Sequence, residues 1–374
     1  MASYTALPRS IPARRVPGAD SLAASMTRIG FRSTNPTDES AIRALLQQAY
    51  GVASGHPMFE ARHLRWKYWE PRADWQGSRS YVLTRQDRII AHAAIVPAVC
   101  SWGTERLKLL HVIDWAAYPE ARGAGNTLMR HIGTLADAIV TSDGAAVALR
   151  LLPFLGFADS GTVVTQYARP IRPLLYLTDA AAPRWRLAAR CVRNTLWAVR
   201  APAGAPGVQR SRPVEAGELG GAPIPWPLPR HGRAVLERSA AVMSYWLQCP
   251  AAPMELHVVE NGAAAEGYFV LTYAPGQARL ADCWLDSEDS EAWETLVQLA
   301  VQQAARHSAV AEVAAICSEP LLAAALERCG FHARGSRPLL VRANGVRLPA
   351  AGIRIQMLDD DTAYRHGGSR NFWV

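Results

Sequence analysis

The stretch YPEARGAGNTLM, residues 118–129, joins a basic residue and two glycines to the start of an amphipathic pattern. Arg122, Gly123 and Gly125 follow an apolar run and precede apolar residues at helical spacing. The exposed N–H groups and dipole of a helix N-terminus favour an anion, and glycines let a phosphate approach the backbone. Arg-x-x-Gly also occurs at residues 15–18, 130–133, 342–345 and 365–368, so the argument rests on the strand and helix patterns around Arg122. That context favours a phosphate-binding turn, with a plain turn as the alternative.

His111 and Asp114 interrupt the apolar run LKLLHVIDWAAY, residues 107–118, just before this turn. Asp114 is the first candidate for a general base, His111 the second and Glu120 a distant third, because burial in an apolar strand changes the acidity of such groups. Each of the first two has a structural alternative. Asp114 could satisfy buried backbone donors, and His111 could be a hydrogen-bonded core histidine.

Elements around this run are predicted from periodicity and from start and stop signals. NPTDESAIRALLQQAYG predicts a helix with Asn35 as cap and Gly51 at its end, and SYVLTRQDRIIAHAAIV predicts two strands around a polar turn. AIVTS predicts a short strand, AAVALRLLPFLGF a helix ending at Gly156, and GTVVTQYA a closing strand.

The second half of the chain repeats this order. VMSYWLQCP echoes LRWKYWEP, ARLADCW echoes LLHVIDW, and both halves contain a helix that ends in Gly-Phe. MELHVVENGAAAEGYFVLTY predicts a hairpin because Asn261-Gly262 is a strong tight-turn signal. We infer an internal duplication with a period of roughly 170 residues.

The segment between the halves is rich in Pro and Gly around one basic amphipathic stretch, PRWRLAARCVRNTLWAVR. It could form a membrane-surface or partner helix. The favoured alternative is a helix with a solvated basic face that packs through its apolar residues, Trp185, Leu187, Val192 and Trp197.

From about residue 27 to residue 168, the sequence resembles the acyl-CoA core of the GNAT (Gcn5-related N-acetyltransferase) superfamily. The resemblance is carried by the order strand, YPEARGAGNTLM, helix, short strand, helix and LGF. The family's pyrophosphate loop has the pattern Gln/Arg-x-x-Gly-x-Gly/Ala, where x is any residue. Thr127 departs from that last position, but its backbone N–H would still be available. The second copy has acidic residues where the loop would lie, which argues against CoA binding there.

The resemblance implies acetyl-CoA or another short acyl-CoA as co-substrate and a primary amine as acceptor. The expected cofactor contacts are the backbone of Trp115, Ala116 and Ala117 for pantetheine and the loop Arg122, Gly123, Ala124, Gly125, Asn126 and Thr127 for pyrophosphate. Asp114 or His111 would be the base. The family's usual tyrosine acid is replaced by Leu152. The thiolate would then leave unprotonated and be neutralised by water or by a residue such as Tyr118, unless the fold no longer acylates anything.

The resemblance implies an α/β (α+β) fold with two GNAT-like domains, each a mixed, mostly antiparallel sheet flanked by helices. The predicted organisation is a disordered N-terminal arm (1–26), an acyl-CoA domain (27–172), a linker (173–235), a degenerate GNAT-like domain (236–345) and a C-terminal tail (346–374). In the tail, Asp359, Asp360 and Asp361 could bind a cation or a cationic acceptor, although a helix cap or solvated turn is favoured. A buried C-terminal carboxylate at Val374 is a further, less favoured base.

Composition excludes several classes of protein. The net charge of +8 comes almost entirely from arginines that are spread along the chain, so we predict no nucleic-acid role. No stretch reaches the roughly 18 to 20 apolar residues of a membrane span, and the start lacks a secretory signal, so a cytoplasmic protein is expected. The six cysteines have no ligand spacing, which predicts free thiols and no metal site.

The predicted function is therefore transfer of an acetyl or short acyl group from CoA to a small or sugar-linked amine. A similar LRWKY segment occurs in acetyltransferases of bacterial exopolysaccharide synthesis, which suggests that setting. Two alternatives remain, a non-catalytic CoA-binding scaffold and an aminoacyl transferase of the Fem type. The pattern specifies neither the acceptor nor an oligomeric state.

Overall fold

A computed structural model of the chain describes residues 29–178, 183–201, 209–229, 234–346, 348, 352–370 and 372–373. The predicted N-terminal arm and the C-terminal carboxylate of Val374 lie outside the described residues. None of the described helices is both long enough and apolar enough to cross a membrane. The six cysteines are free thiols, as predicted.

The first helix shows how local signals define the elements. Asn35 caps a 3-10 turn, Pro36–Asp38, that leads directly into helix α1 (Glu39–Tyr50). Gly51 ends the helix at φ 64°, a left-handed conformation that favours a residue without a side chain. The buried face of α1 consists of Ile42, Leu45 and Leu46. The predicted helix is confirmed, but its apolar face is narrower than the pattern suggests, because Ala41 and Ala49 are exposed.

The other elements follow in chain order. The remaining helices are α2 (Ala61–Tyr68), α3 (Ala124–Ile132), α4 (Ala146–Leu151), α5 (Arg184–Arg200), α6 (Ala240–Leu247), α7 (Ser290–Ala305) and α8 (Pro320–Arg328). The strands are β1 (Ile29–Ser33), β2 (Ser80–Arg85), β3 (Arg88–Trp102), β4 (Glu105–Ala117), β5 (Ala138–Thr141), β6 (Ala158–Pro170), β7 (Arg210–Val214), β8 (Val235–Leu236), β9 (Met254–Asn261), β10 (Ala264–Ala274), β11 (Gln277–Leu285), β12 (Glu312–Cys317) and β13 (His332–Ala343).

One sheet contains these strands, in the order β1-β2-β3-β4-β5-β13-β6-β12-β11-β10-β9-β7, with β8 beside β3. β4 is parallel to β5 and β11 is parallel to β12, whereas the other paired strands are antiparallel. Helices flank the sheet. The predicted fold, mixed α/β with a mostly antiparallel sheet, is confirmed.

The two halves of the sheet exchange their last strands. β6, which closes the first half, pairs with β12, and β13, which closes the second half, pairs with β5. β6 and β13 also pair with each other, so the strand order is symmetric about their contact. This symmetry agrees with an internal duplication. The domain boundaries at 27–172 and 236–345 stay a prediction, because the exchanged strands join the halves into one sheet.

The echoed aromatic segments, on α2 and α6, contact each other. The rings of Trp66 and Tyr245 stack with centroids 4.8 Å apart. Trp66 Nε1 donates to the Tyr245 carbonyl oxygen at 3.2 Å, and the Tyr245 hydroxyl donates to the Trp66 carbonyl oxygen at 2.8 Å. These reciprocal bonds hold α2 against α6, and Tyr68 of α2 also bonds Asp114 of β4.

The basic helix between the halves, α5, forms where it is predicted, but its packing differs from the favoured expectation. Leu187 is buried and Trp197 is half-buried, as expected. Trp185 and Val192 are 69% and 63% exposed, so the prediction that they pack the helix onto the protein is wrong. The helix uses a narrower face for packing than its apolar residues suggest.

Candidate active site

The candidate site lies where β4 and β5 separate. These strands pair only from Leu109 with Ala138 to His111 with Val140, and β4 then continues without a partner on that side. A cavity of about 450 Å³ opens beside the separated strands. Its wall includes residues 111–115 of β4, residues 143–145, Leu152, Phe157 and a C-terminal stretch at 360–362. An unpaired strand edge next to a cavity can accept an extended ligand.

A β-bulge places Asp114 in this wall. Asp114 and Trp115 together face Ala93 of β3, and Asp114 adopts φ 51°. A left-handed conformation at a residue other than glycine costs about 1–2 kcal/mol, so contacts must hold it in place. The carboxylate supplies them: Asp114 Oδ2 accepts from the Tyr68 hydroxyl at 2.7 Å and lies 2.7 Å from Lys67 Nζ.

Lys67, on α2, is buried between two carboxylates. Its ammonium group contacts Asp114 and also lies 3.3 Å from Asp361 Oδ2. Burial alone would lower the pKa of Lys67, but the two carboxylates raise it above its ordinary value. Asp114 is therefore held by an ion pair and a hydrogen bond, which favours a positioning role over the predicted role of base.

His111 is the other predicted base, and its surroundings differ. Its side chain is buried in the cavity wall, and Nδ1 has no hydrogen-bond partner among the described residues. Asp360 lies close enough for the charge of His111 to influence it. Burial raises the pKa of Asp360, and His111 offsets part of that rise. An imidazole nitrogen without a protein partner can accept a proton from a substrate.

The C-terminal stretch brings three consecutive aspartates into the protein. Asp359, Asp360 and Asp361 are at most 6% exposed, so the predicted solvated turn is wrong. Asp359 does cap backbone, because it accepts from the Gln356 N–H at 2.6 Å. Burial alone would raise the pKa of Asp361, but Arg365 and Lys67 lower it to about 2.

The predicted phosphate turn leads into α3. Gly123 precedes the helix at φ 80°, which favours glycine. Among the described residues, the N–H groups of Arg122, Gly123, Gly125 and Asn126 have no hydrogen-bond acceptor. The N–H of Thr127 donates to the Gly123 carbonyl oxygen at 3.0 Å, so the expectation that this N–H is available to a ligand is wrong.

Gly125 connects this turn to the strand edge. Trp115 Nε1 donates to the Gly125 carbonyl oxygen at 3.0 Å. A Cβ at Gly125 would lie 3.2 Å from Trp115 Nε1 and 3.7 Å from Ala117 Cβ. The absence of a side chain lets the start of α3 approach β4 at the residues predicted to bind pantetheine.

The remaining predicted residues lie away from the cavity. Tyr118 packs beneath the guanidinium of Arg88, 5.1 Å from the ring centroid, and Glu120 makes an exposed ion pair with the same arginine. Neither is among the described residues that line the cavity. Tyr50 of α1 is the one tyrosine in that lining.

Sequence reasoning missed Lys67, Tyr50 and Arg365, and it linked the tail aspartates to no other site residue. Lys67 carried one usable signal, because it is one of only two lysines in an arginine-rich chain. Nothing in the sequence indicates that α1, α2 and the C-terminal stretch meet at β4.

The corresponding cleft of the second half is filled by the chain itself. β11 and β12 pair only as far as Leu280 and Ala315, and Gln356 then lies against β11. The Cys283 N–H donates to Gln356 Oε1 at 3.0 Å, and Gln356 Nε2 donates to the Cys283 carbonyl oxygen at 3.0 Å. Gln356 thus uses the backbone groups that an extended ligand would need.

The comparisons with known proteins agree with this geometry. Residues 30–157 match the family model described as an acetyltransferase (GNAT) domain. No curated protein matches the chain significantly.

Three solved structures share the fold. A GCN5-related N-acetyltransferase from Anabaena variabilis superimposes with a TM-score of 0.53 at 12% identity, over 84% of this chain and 73% of that one. A probable N-acyltransferase from Enterococcus faecalis gives 0.52 at 11% identity, over 85% and 72%. A GCN5-related N-acetyltransferase from Kribbella flavida gives 0.50 at 14% identity, over 86% and 72%. At this identity the likeness shows the fold alone, whereas the family match rests on sequence. Residues 30–157 are therefore similar in sequence to the GNAT acetyltransferase domain family, and the chain shares the fold of the three solved structures.

Proposed function

We propose that the protein is an N-acyltransferase that moves an acetyl or other short acyl group from CoA to a primary amine. The observation that carries this proposal is the continuity of three features: the N–H groups before α3, the unpaired edge of β4 and the cavity beside His111. They suit a pyrophosphate, an extended pantetheine arm and an acceptor, in that order. The acceptor would be a small or sugar-linked amine, and exopolysaccharide metabolism is one setting in which such an amine occurs.

The residues of the cavity suggest how the reaction would proceed. The acceptor nitrogen attacks the thioester carbon and loses a proton to His111, the C–N bond forms, and the C–S bond breaks. Backbone N–H groups of β4 at residues 115–117 would stabilise the oxyanion. The departing thiolate takes a proton from Tyr50, which replaces the tyrosine missing at Leu152. Asp114, fixed by Lys67 and Tyr68, would maintain the β-bulge that orients the backbone N–H groups of β4.

The acceptor is proposed to carry positive charge. Asp360 lies in the cavity lining, and among the described residues its carboxylate accepts hydrogen bonds from Thr362 alone, with the N–H at 2.6 Å. A buried carboxylate without an ion-pair partner attracts a cation. A diamine or an amino sugar would satisfy both Asp360 and the reacting centre.

Calorimetric titration with acetyl-CoA tests the first step. We expect micromolar binding at one site per chain and its loss in Arg122→Glu, since Arg122 is exposed at the turn. Arg130→Glu, which reverses an exposed arginine later on α3, is the matched control and should bind normally. Absence of binding at millimolar acetyl-CoA would overturn the proposal.

A second candidate function, a non-catalytic CoA-binding protein, is favoured by one observation. Leu152 lies in the cavity lining at the position of the family's usual tyrosine. Acetyl-CoA binding without release of free CoA, across amines that include diamines and amino sugars, would support this candidate over the transferase.

A further inference from the structure

Exposed apolar side chains concentrate in one segment of the chain, between residues 174 and 199. Among the described residues, twelve large apolar side chains are exposed, and six of them lie between residues 174 and 199. These six are Leu174, Leu177, Trp185, Val192, Leu196 and Val199. The first two belong to a 3-10 turn, Pro173–Thr178, that packs beside α5. We call these six residues the α5 surface. Such a concentration marks an interaction site, because single exposed apolar residues are normally scattered.

The arrangement on α5 is a stripe. With about 100° of rotation per residue, positions 185, 192, 196 and 199 fall within about 60° of one another. The opposite face is the one that packs on the protein: Asn194 and Leu187 are buried, and Trp197 stacks on His332 with centroids 3.9 Å apart. The helix is therefore anchored by one side while a continuous apolar stripe faces outward.

The charge of the helix is of one sign. Residues 184–200 contain five arginines and no aspartate or glutamate. Arg186 and Arg200 are exposed, and Arg193 lies on the same flank of the stripe. Burial lowers the pKa of Arg193, and the charges of Arg334 and Arg190 lower it further. The flank of the apolar stripe is thus crowded with positive charge.

We propose that the α5 surface docks on a membrane that contains anionic lipid. An amphipathic helix of this kind lies in the plane of the interface, with its apolar stripe among the acyl chains and its arginines at the headgroups. Trp185 is a residue type that favours this boundary. A second copy of the chain is a poor occupant, since a two-fold contact would bring arginines against arginines. A membrane satisfies the apolar and the basic residues together.

Docking of this kind holds the protein at a membrane surface and does not require a membrane-spanning segment. Each basic residue near an anionic surface strengthens binding about fivefold, and this effect falls with salt. Burial of the apolar stripe contributes a part of the binding free energy that added salt does not remove. Binding should therefore weaken with added salt and with removal of anionic lipid.

Vesicle sedimentation tests the proposal. The full chain is mixed with vesicles of phosphatidylcholine alone or of phosphatidylcholine with phosphatidylglycerol, at low and high salt. We expect binding to the anionic vesicles that falls at least about tenfold when Arg186 and Arg200 are both changed to Glu. Binding to neither kind of vesicle would overturn the proposal, as would equal binding to both.

A matched pair of variants separates the stripe from general surface effects. Leu196→Asp places a charge in the stripe, and Leu228→Asp places one at a similarly exposed leucine elsewhere. Leu196→Asp should lose binding about tenfold or more, with an unchanged thermal midpoint, whereas Leu228→Asp should bind normally. Equal losses in the two would overturn the proposal.

Light scattering of the lipid-free protein tests the competing occupant. We expect a monomer in both the wild type and Leu196→Asp. A dimer that Leu196→Asp dissociates would assign the surface to a second copy and overturn the membrane proposal. None of these measurements depends on acyl transfer.

Discussion

Lys67 Nζ lies 2.7 Å from Asp114 Oδ2, and both side chains are only 3% exposed. The same ammonium reaches Asp361, which is 294 residues away in the sequence. One lysine thus neutralises a carboxylate of the strand bulge and a carboxylate of the C-terminal stretch. Lys67 therefore connects β4, which carries Asp114 and His111, to the C-terminal stretch that completes the cavity wall.

Replacement of Lys67 should therefore be strongly destabilising. Lys67→Met keeps an apolar stem of similar length but leaves two buried carboxylates without their cation, which costs on the order of 3–5 kcal/mol. Urea unfolding measures the loss. The double variant Lys67→Met/Asp114→Asn should recover part of the stability, because one uncompensated charge is removed. A single-variant loss below about 1 kcal/mol would contradict the ion-pair argument.

The sequence predicts local features of this fold well, and the reason is physical. Asn35, Gly51, Gly123 and Gly262 act through their own backbone conformation and immediate neighbours, so the elements they bound are recognisable without any tertiary information. The repeat of element order likewise predicts two similar halves.

The exchange of β6 and β13 and the ion pair of Lys67 with Asp361 could not be predicted in this way. Both depend on which distant segments meet, and alternating apolar residues leave several pairings open. The burial of Asp359, Asp360 and Asp361 follows from the same cause. Consecutive aspartates normally indicate solvent, and cations from elsewhere in the chain, Arg238 for Asp359 and Lys67 for Asp361, make the burial of two of the three favourable.

His111 should matter for turnover more than for stability. If it accepts the amine proton, His111→Gln should lower kcat by about 10²- to 10⁴-fold while the Kd for acetyl-CoA stays unchanged. His131→Gln, a histidine on the exposed side of α3, is the matched control and should keep wild-type turnover. Steady-state kinetics with a diamine acceptor, beside calorimetry, separates the two effects. Wild-type kcat in His111→Gln would remove this residue from the mechanism.

Stability should fall as the pH falls from about 6.5 toward 4. Burial lowers the pKa of His92 to about 4, so over this range the unfolded chain binds a proton that the folded chain does not. The contribution of this one group is about 3 kcal/mol, fully present above the unfolded value and lost toward pH 4. His63 acts in the same direction, since burial lowers its pKa to about 3.

The contribution of His92 can be isolated by substitution. His92 bonds Ser80 Oγ at 2.9 Å and the Asp114 carbonyl oxygen at 3.1 Å, and glutamine at this position keeps a polar side chain for both. Urea unfolding at several pH values should give a shallower dependence for His92→Gln than for the wild type. Parallel curves for wild type and His92→Gln would refute the assignment.

Asp360 should set the preference for charged acceptors. Asp360→Asn keeps the shape of the side chain and its bond to the Thr362 N–H, but it removes the negative charge in the cavity. A hydrogen bond to a charged group contributes about 1.5–3 kcal/mol, so KM for a diamine should rise roughly tenfold or more. KM for a monoamine with a hydroxyl at its far end should change little, since that end has no charge for Asp360 to bind. Asp87→Asn, in the exposed turn between β2 and β3, is the matched control for the chemical change. An equal rise in KM for both acceptors would mean that Asp360 supports the cavity wall and leaves recognition of the cation to another group.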